Sequence, residues 1–146
     1  MCSSDLTRIA VRTLPGEVTL LDDTYNASPA ATVAALDLLA ETPGRHVALL
    51  GDMLELGAVS EEEHARVGRH AAQRCDVLFT VGDLAAGITA AARAAGLASA
   101  THCPSKGAAV EALRSALRPG DVLLVKASRA LALETVVHAL ESGAAE

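Results

Sequence analysis

From residue 18 onward the chain alternates short apolar runs with segments of helical period, and this alternation restricts the fold more than any other feature. Strands that alternate with helices of roughly 10 to 15 residues form parallel sheets with right-handed crossovers. Residues 8–12 and 18–21 flank a Pro-Gly turn and predict an N-terminal hairpin. The predicted helices cover 30–41, 61–74, 85–95, 106–117 and 132–140, and the later strands cover 46–50, 77–81, 98–102 and 122–125. The sequence therefore predicts a Rossmann-like, doubly wound α/β fold: a mostly parallel sheet of about six strands with helices on both faces.

The length of 146 residues predicts one domain. We assign residues 7–146 to it and treat residues 1–6 as a disordered or cloning-derived terminus. The hydrophobic fraction of 51% comes mostly from Ala, Leu and Val, with one Phe, one Tyr and no Trp. The core must therefore be aliphatic.

Several classes of partner are excluded by composition. The net charge of −6 opposes a phosphate backbone and aromatic stacking on bases is nearly unavailable, so we expect no nucleic-acid partner. The cysteines number three, an odd count, and form no CxxC pair, which argues against a disulfide framework and a zinc knuckle. No run approaches the roughly 18 apolar residues of a membrane span, and the first residues lack the features of a signal peptide. We expect a cytoplasmic protein without membrane insertion.

Three polar clusters follow predicted strands. The loops after parallel strands share one edge of the sheet, which is where open α/β folds bind ligands. We therefore expect the clusters to converge although they are distant in sequence. The candidate residues are Asp22, Asp23, Tyr25 and Asn26 in the first cluster, Asp52 and Glu55 in the second (51–57), and Lys126, Ser128 and Arg129 in the third.

Each cluster has a chemical and a structural interpretation. A carboxylate at a strand end can accept hydrogen bonds from a sugar diol, but Asp and Asn also favour turns. The second cluster has glycines that admit a close ligand and acids that could orient an amine or a cation, yet its apolar residues could simply plug the sheet edge. The cations of the third cluster suit a carboxylate ligand, or could be a solvated positive pair.

Other motifs in the chain favour structural roles. Ser28 and Pro29 suit the N-cap and first position of a helix. Glu61 and His64 have metal-like spacing that occurs only once, whereas Ser60 with Glu63 satisfies a capping box, so we predict no metal site there. The phosphate loop GxxxxGK[ST] and the patterns GxGxxG, GxSxG and HExxH are all missing from the sequence.

Four strings, in this order and spacing, resemble the C-terminal domain of the Mur ligases. They are DDTYNASP at 22–29, LLGDMLELG at 49–57 followed by SEEEH at 60–64, VGD at 81–83, and GDVLLVKASR at 120–129. The similarity covers nearly the whole chain from about residue 7. LGDMLELG and VKASR resemble most closely the branch of the family that adds D-alanyl-D-alanine.

The resemblance implies an ATP-dependent amide ligase of peptidoglycan precursor synthesis, and hence of cell-wall biogenesis, cell shape and cell division. In such a ligase ATP phosphorylates the terminal carboxylate of UDP-N-acetylmuramoyl-tripeptide, and the amine of D-alanyl-D-alanine attacks the acyl phosphate. A central domain supplies the phosphate loop and the Mg²⁺ ligands, and a first domain binds the UDP-sugar. Neither is present in this sequence, so we expect the isolated chain to be inactive and to carry no catalytic residue.

The family's residues transfer to matching positions only. The resemblance implies that Asp23, or alternatively Asp22, holds the ATP ribose, with Tyr25 and Asn26 beside the adenine. It implies that the third cluster lines the dipeptide pocket, where Arg129 or Lys126 meets the carboxylate. It implies that the loop with Asp52 and Glu55 borders the amine.

Two alternatives remain at this stage. The first is the C-terminal domain of a folylpolyglutamate synthase or a cyanophycin-type ligase, which would share the architecture but take another amine. The second is a non-catalytic ligand-binding module that uses the same edge. Binding of D-alanyl-D-alanine against glutamate would test the first alternative, and a preceding domain with GxxxxGK[ST] in the neighbouring coding sequence would argue against the second.

Overall fold

The computed structural model describes residues 9–23, 28–127 and 132–142. Within these ranges six strands form one sheet in the order β1-β2-β6-β3-β4-β5. Strand β1 pairs antiparallel with β2, and the other neighbouring strands pair in parallel. The strands are β1 (Ala10–Leu14), β2 (Val18–Asp23), β3 (His46–Gly51), β4 (Val77–Val81), β5 (Ala100–Cys103) and β6 (Val122–Lys126). The predicted mostly parallel sheet with an N-terminal hairpin is confirmed.

Helices cover both faces of the sheet. They are α1 (Pro29–Glu41), α2 (Ser60–Arg74), α3 (Ala86–Ala94), α4 (Lys106–Ala116) and α5 (Glu134–Glu141). Side chains of one strand parity, such as Leu20 and Leu123, join α4 and α5 in one aliphatic core. Those of the other parity, such as Leu21 and Leu124, join α1, α2 and α3 in a second core. Because successive strand residues face opposite sides, this division also determines which layer each site residue faces.

The predicted elements are confirmed with shifts of one or two residues at their ends, and the start of α1 agrees in detail. Ser28 Oγ accepts a hydrogen bond from the Ala31 N–H at 3.1 Å, and Pro29 occupies the first helical position. The capping box predicted for α2 is wrong. A short 3₁₀ turn, Gly57–Val59, runs directly into α2, so Ser60 already has helical φ and ψ of −55° and −51°. A residue in that conformation cannot act as an N-cap.

An ion pair fixes two central strands at the opposite, amino edge of the sheet. Arg45 precedes β3 and Asp121 precedes β6, and the guanidinium donates two hydrogen bonds to the carboxylate, at 2.8 and 3.1 Å. Asp121 also accepts the Arg118 N–H at 2.9 Å. Burial acts to raise the pKa of Asp121, but the bonds from Arg45 and Arg118 outweigh it, so that the pKa lies below its ordinary value.

Across the described parts of the chain, none of the helices combines the length and the apolar character that crossing a bilayer demands.

Candidate functional site

The three strands that carry the polar clusters lie side by side. Strand β6 sits between β2 and β3. Lys126, its last residue, is the register partner of Asp23 on one side and of Leu50 on the other. The ends of the three strands therefore share one stretch of the carboxyl edge. Tyr25, Asn26, Ser128 and Arg129 lie outside the described residues.

Asp23 and Lys126 form a buried ion pair. The Lys126 Nζ donates a hydrogen bond to Asp23 Oδ2. The Lys126 side chain is only 2% exposed, and the Asp23 side chain only 6%. Both residues face the layer of α1, because each follows the parity of Leu21 and Leu124. Charges of this kind are stable in an interior only when they compensate each other. The pairing joins the first cluster to the third: the sequence predicted that these clusters converge, but it did not predict this ion pair.

Asp22 has a different environment from its neighbour. Its side chain faces the layer of α4 and α5, where Asp22 Oδ2 accepts a hydrogen bond from Arg12 of β1. The same guanidinium donates to Glu141 at the end of α5, at 2.6 Å. Asp22 Oδ1 is buried and has no hydrogen-bond partner among the residues that the structure describes. The two adjacent acids therefore belong to separate networks on opposite faces of the sheet.

The loop after β3 is interlocked with the loop after β4. Asp52 is buried, and its Oδ1 accepts a hydrogen bond from the Ala85 N–H at 2.7 Å, just before α3. Gly82 has a φ of +110°, and a Cβ on it would overlap the Asp52 carboxylate. Asp52 thus has a structural contact in addition to its predicted role near an amine. Glu55 is exposed, with a left-handed φ of 66°.

His64 holds the second cluster against α2, and the sequence reasoning missed this role. Its Nε2 accepts a hydrogen bond from the Met53 N–H at 3.0 Å, and its Nδ1 lies 2.7 Å from the Ser60 carbonyl oxygen. The buried face of α2 could have revealed it, because His64, Val67, Gly68 and Ala71 recur at the spacing of one helical face.

A cleft of about 460 Å³ opens between this loop and the start of α3. Its lining includes two exposed carboxylates, Glu61 and Asp83, together with Ser60, His64 and Leu84. The charge of the cleft is negative at neutral pH, which suits an ammonium group better than a carboxylate. A second cavity, of about 310 Å³, lies near the hairpin turn, at the amino edge of the sheet. It is lined mainly by apolar side chains.

In the described part of the chain the metal-ligating side chains are dispersed, and two of its thiols lie in buried positions. No group of three or more His, Cys, Asp or Glu side chains there could hold a metal ion. Burial raises the pKa of Cys75 to about 12 and also raises that of Cys103. Neither thiol is therefore a nucleophile at neutral pH.

The fold defines the class: a doubly wound α/β domain, and such folds bind ligands at the edge where their parallel strands end. The chain belongs to the Mur ligase family, since residues 7–129 match the family described as "Mur ligase, glutamate ligase domain".

Two relatives with the same name illustrate the match. The UDP-N-acetylmuramoyl-tripeptide--D-alanyl-D-alanine ligase of Synechocystis sp. is 42% identical over 128 residues, 85% of this chain and 28% of the relative. The Escherichia coli K12 enzyme of that name is 40% identical over 125 residues, 84% of this chain and 26% of the relative. The chain thus spans little more than a quarter of these relatives.

A solved structure supports the same relationship. The crystal structure of the MurF ligase from Thermotoga maritima in complex with ADP has a TM-score of 0.80 and 31% identity to this chain. The superposition covers 92% of this chain and 30% of that one.

Proposed function

We propose that this chain is the C-terminal domain of an ATP-dependent ligase that joins D-alanyl-D-alanine to UDP-N-acetylmuramoyl-tripeptide in peptidoglycan precursor synthesis. The domain binds the dipeptide and completes the ATP site that another domain of the ligase begins. The names of the relatives at 40% and 42% identity support the reaction, and the ADP in the Thermotoga maritima structure supports the nucleotide.

The buried Asp23–Lys126 pair carries the proposal, because it joins the proposed nucleotide segment to the proposed dipeptide segment. Strand β2 leads into residues 24–27, and β6 leads into residues 128–131. With the two strand ends held together, one pocket can receive both ligands. Bringing the amine to an acyl phosphate is a matter of position, and positioning two reactants lowers a barrier by several kcal/mol, up to about 10.

We assign the individual residues as follows. Asp22 or Asp23 meets the ATP ribose, with Tyr25 and Asn26 beside the adenine. The carboxylate of the dipeptide meets Lys126 or Arg129, with Ser128 as a neutral hydrogen-bond partner. The loop of Asp52 and Glu55 borders the amine, and the acidic cleft next to it attracts the ammonium form that precedes deprotonation and attack.

The remaining requirements fall to other parts of the ligase. Magnesium balances the charge of ATP phosphates, and the described residues of this chain offer it no ligand cluster. Because Mg²⁺ binds where the phosphates lie, we place it on the domain that supplies the phosphate loop, and we place the ligase in the cytoplasm with its nucleotide substrate. The isolated chain should bind ligand but not turn over ATP.

Titration of the ¹⁵N-labelled chain with D-alanyl-D-alanine tests the proposal. We expect amide shifts confined to the carboxyl edge, in the loops after β3 and β4 and at the end of β6. L-alanyl-L-alanine is the matched control for chirality, and glutamate is the control for the folylpolyglutamate alternative. Shifts with glutamate and none with the D-dipeptide would overturn the proposal, as would shifts that the two dipeptide enantiomers share.

A further inference from the structure

A buried imidazole connects the β3–α2 loop to the helix that follows it. We propose that His64 is a positioning residue, which holds residues 52–57 in the conformation that presents the dipeptide amine to the acyl phosphate. The proposal rests on the proposed function, because it concerns the loop assigned there to the amine.

The hydrogen bonds of His64 define its protonation state. A backbone N–H can only donate, so the Nε2 that lies 3.0 Å from the Met53 nitrogen must be the acceptor. A carbonyl oxygen can only accept, so the Nδ1 that lies 2.7 Å from the Ser60 oxygen must carry the proton. His64 is therefore neutral in the Nδ1–H tautomer. Its side chain is almost wholly buried, with the residue only 1% exposed.

The loop depends on this anchor because it has little regular structure of its own. Met53 is 1% exposed, so its N–H has no water to replace a lost partner. Further along, Glu55 and Gly57 both have positive φ values, 66° and 59°. A non-glycine residue in that region is costly and persists only when its surroundings impose it. His64 holds the loop at the point where it leaves β3.

The anchored residue, Met53, also connects the loop to α1. Thr32 belongs to α1, and its hydroxyl lies 3.8 Å from the Met53 sulfur. On the other side, the residue His64 borders the acidic cleft together with Glu61 and Asp83. His64 thus lies between the cleft and Met53, the buried residue near the start of the loop. A substitution of His64 would therefore alter the conformation of the loop without removing a group that touches the reacting atoms.

Nuclear magnetic resonance of the chain itself tests the anchor. In the wild-type chain, imidazole ¹⁵N shifts should show the neutral Nδ1–H tautomer of His64, with a protected Met53 amide. A protonated ring or the other tautomer would overturn the proposal without any variant. His64→Gln retains an acceptor, whereas His64→Leu retains bulk alone. We expect Leu to lower the exchange protection of the Met53 amide by about tenfold, and Gln to preserve most of it.

His70 provides the matched control on the same helix. Its Nε2 pairs with Asp37 of α1 at 2.8 Å, far along α2 from the loop. His70→Leu should leave the Met53 amide as protected as in the wild type. Equal loss of protection in the His70 and His64 variants would mean that the effect is general destabilisation, and would overturn the assigned role.

Steady-state kinetics of the whole ligase that carries this domain test the consequence. We expect His64→Leu to raise the KM for D-alanyl-D-alanine about tenfold while the KM for ATP stays within about twofold, and His64→Gln to restore most of the difference. Equal changes in both constants would overturn the positioning role. A wild-type ligase that does not respond to the dipeptide would instead refute the proposed function, and the resonance results on the anchor would stand.

Discussion

At the scale of single residues, Asp22 and Asp23 differ more than their adjacency suggests. Asp23 compensates a buried lysine, while Asp22 pairs with the half-exposed Arg12 at the edge of the sheet. An acid that holds a ribose needs carboxylate oxygens that the sugar can approach. One oxygen of the Asp23 carboxylate already accepts a hydrogen bond from Lys126, so the main structural role of Asp23 is to hold β2 and β6 together.

The Asp23–Lys126 pair leads to a prediction about stability. Lys126→Met should lower the free energy of unfolding by about 3 kcal/mol, because it leaves a buried carboxylate without its counter-charge. The double variant Asp23→Leu with Lys126→Met should recover about 2 kcal/mol of that loss, since two apolar side chains need no compensation. Urea unfolding of the isolated chain measures both values.

A surface pair supplies the control for that cycle. Arg66 and Glu63 are 2.9 Å apart, with the Arg66 side chain 54% exposed. Arg66→Met should cost less than about 1 kcal/mol. Strictly additive losses at Asp23 and Lys126 would contradict the account of a coupled buried pair.

At the scale of elements, most of the fold could be predicted from local pattern. The alternation of apolar runs with segments of helical period located each described strand and α-helix. A sheet between two helical layers requires apolar residues on both of its faces and on one face of each helix, so the sequence pattern follows the fold closely. The capping box at Ser60 and Glu63 failed for a reason that no local pattern contains. Cap geometry depends on the direction from which the chain enters the helix, and here a 3₁₀ turn precedes it.

The Arg45–Asp121 pair, which joins β3 to β6, makes the free energy of unfolding depend on pH. The pKa of Asp121 is lowered in the folded chain, so its contribution to stability is complete above about pH 4 and is lost as the pH falls through the folded value. Asp121→Asn should cost about 2 kcal/mol at neutral pH, and the difference from wild type should shrink at about pH 3. Urea unfolding at the two pH values measures it.

The exposed carboxylate of Asp83 provides the control for the Asp121 prediction. Asp83 lies on the rim of the acidic cleft, and Asp83→Asn should change stability by less than about 0.5 kcal/mol at either pH. A difference between wild type and Asp121→Asn that grows on acidification would contradict the role given to the ion pair.

At the scale of the whole molecule, the adjacency of the strands that carry the three clusters was predictable, but the contacts between their side chains were not. Parallel strands must expose their following loops at one edge, so the positions of the clusters followed from topology alone. The contact of Asp23 with Lys126 required the register of two strands whose residues are 103 positions apart. The helical spacing of His64 with Val67 and Ala71 could have indicated a buried face, but the contact of His64 with Met53 required knowing that a loop folds back over its own helix. Tertiary contacts of this kind leave no periodic signal in a sequence.

We propose that this edge of the sheet serves a D-alanyl-D-alanine ligase, and a chimaera with a relative tests that function. The Escherichia coli relative, with its matching segment replaced by this chain, would be assayed for ADP release in the presence of ATP and UDP-N-acetylmuramoyl-tripeptide. We predict release that depends on D-alanyl-D-alanine and not on glutamate. A folded chimaera that binds ATP yet responds to glutamate alone, or to neither amine, would refute the proposed function.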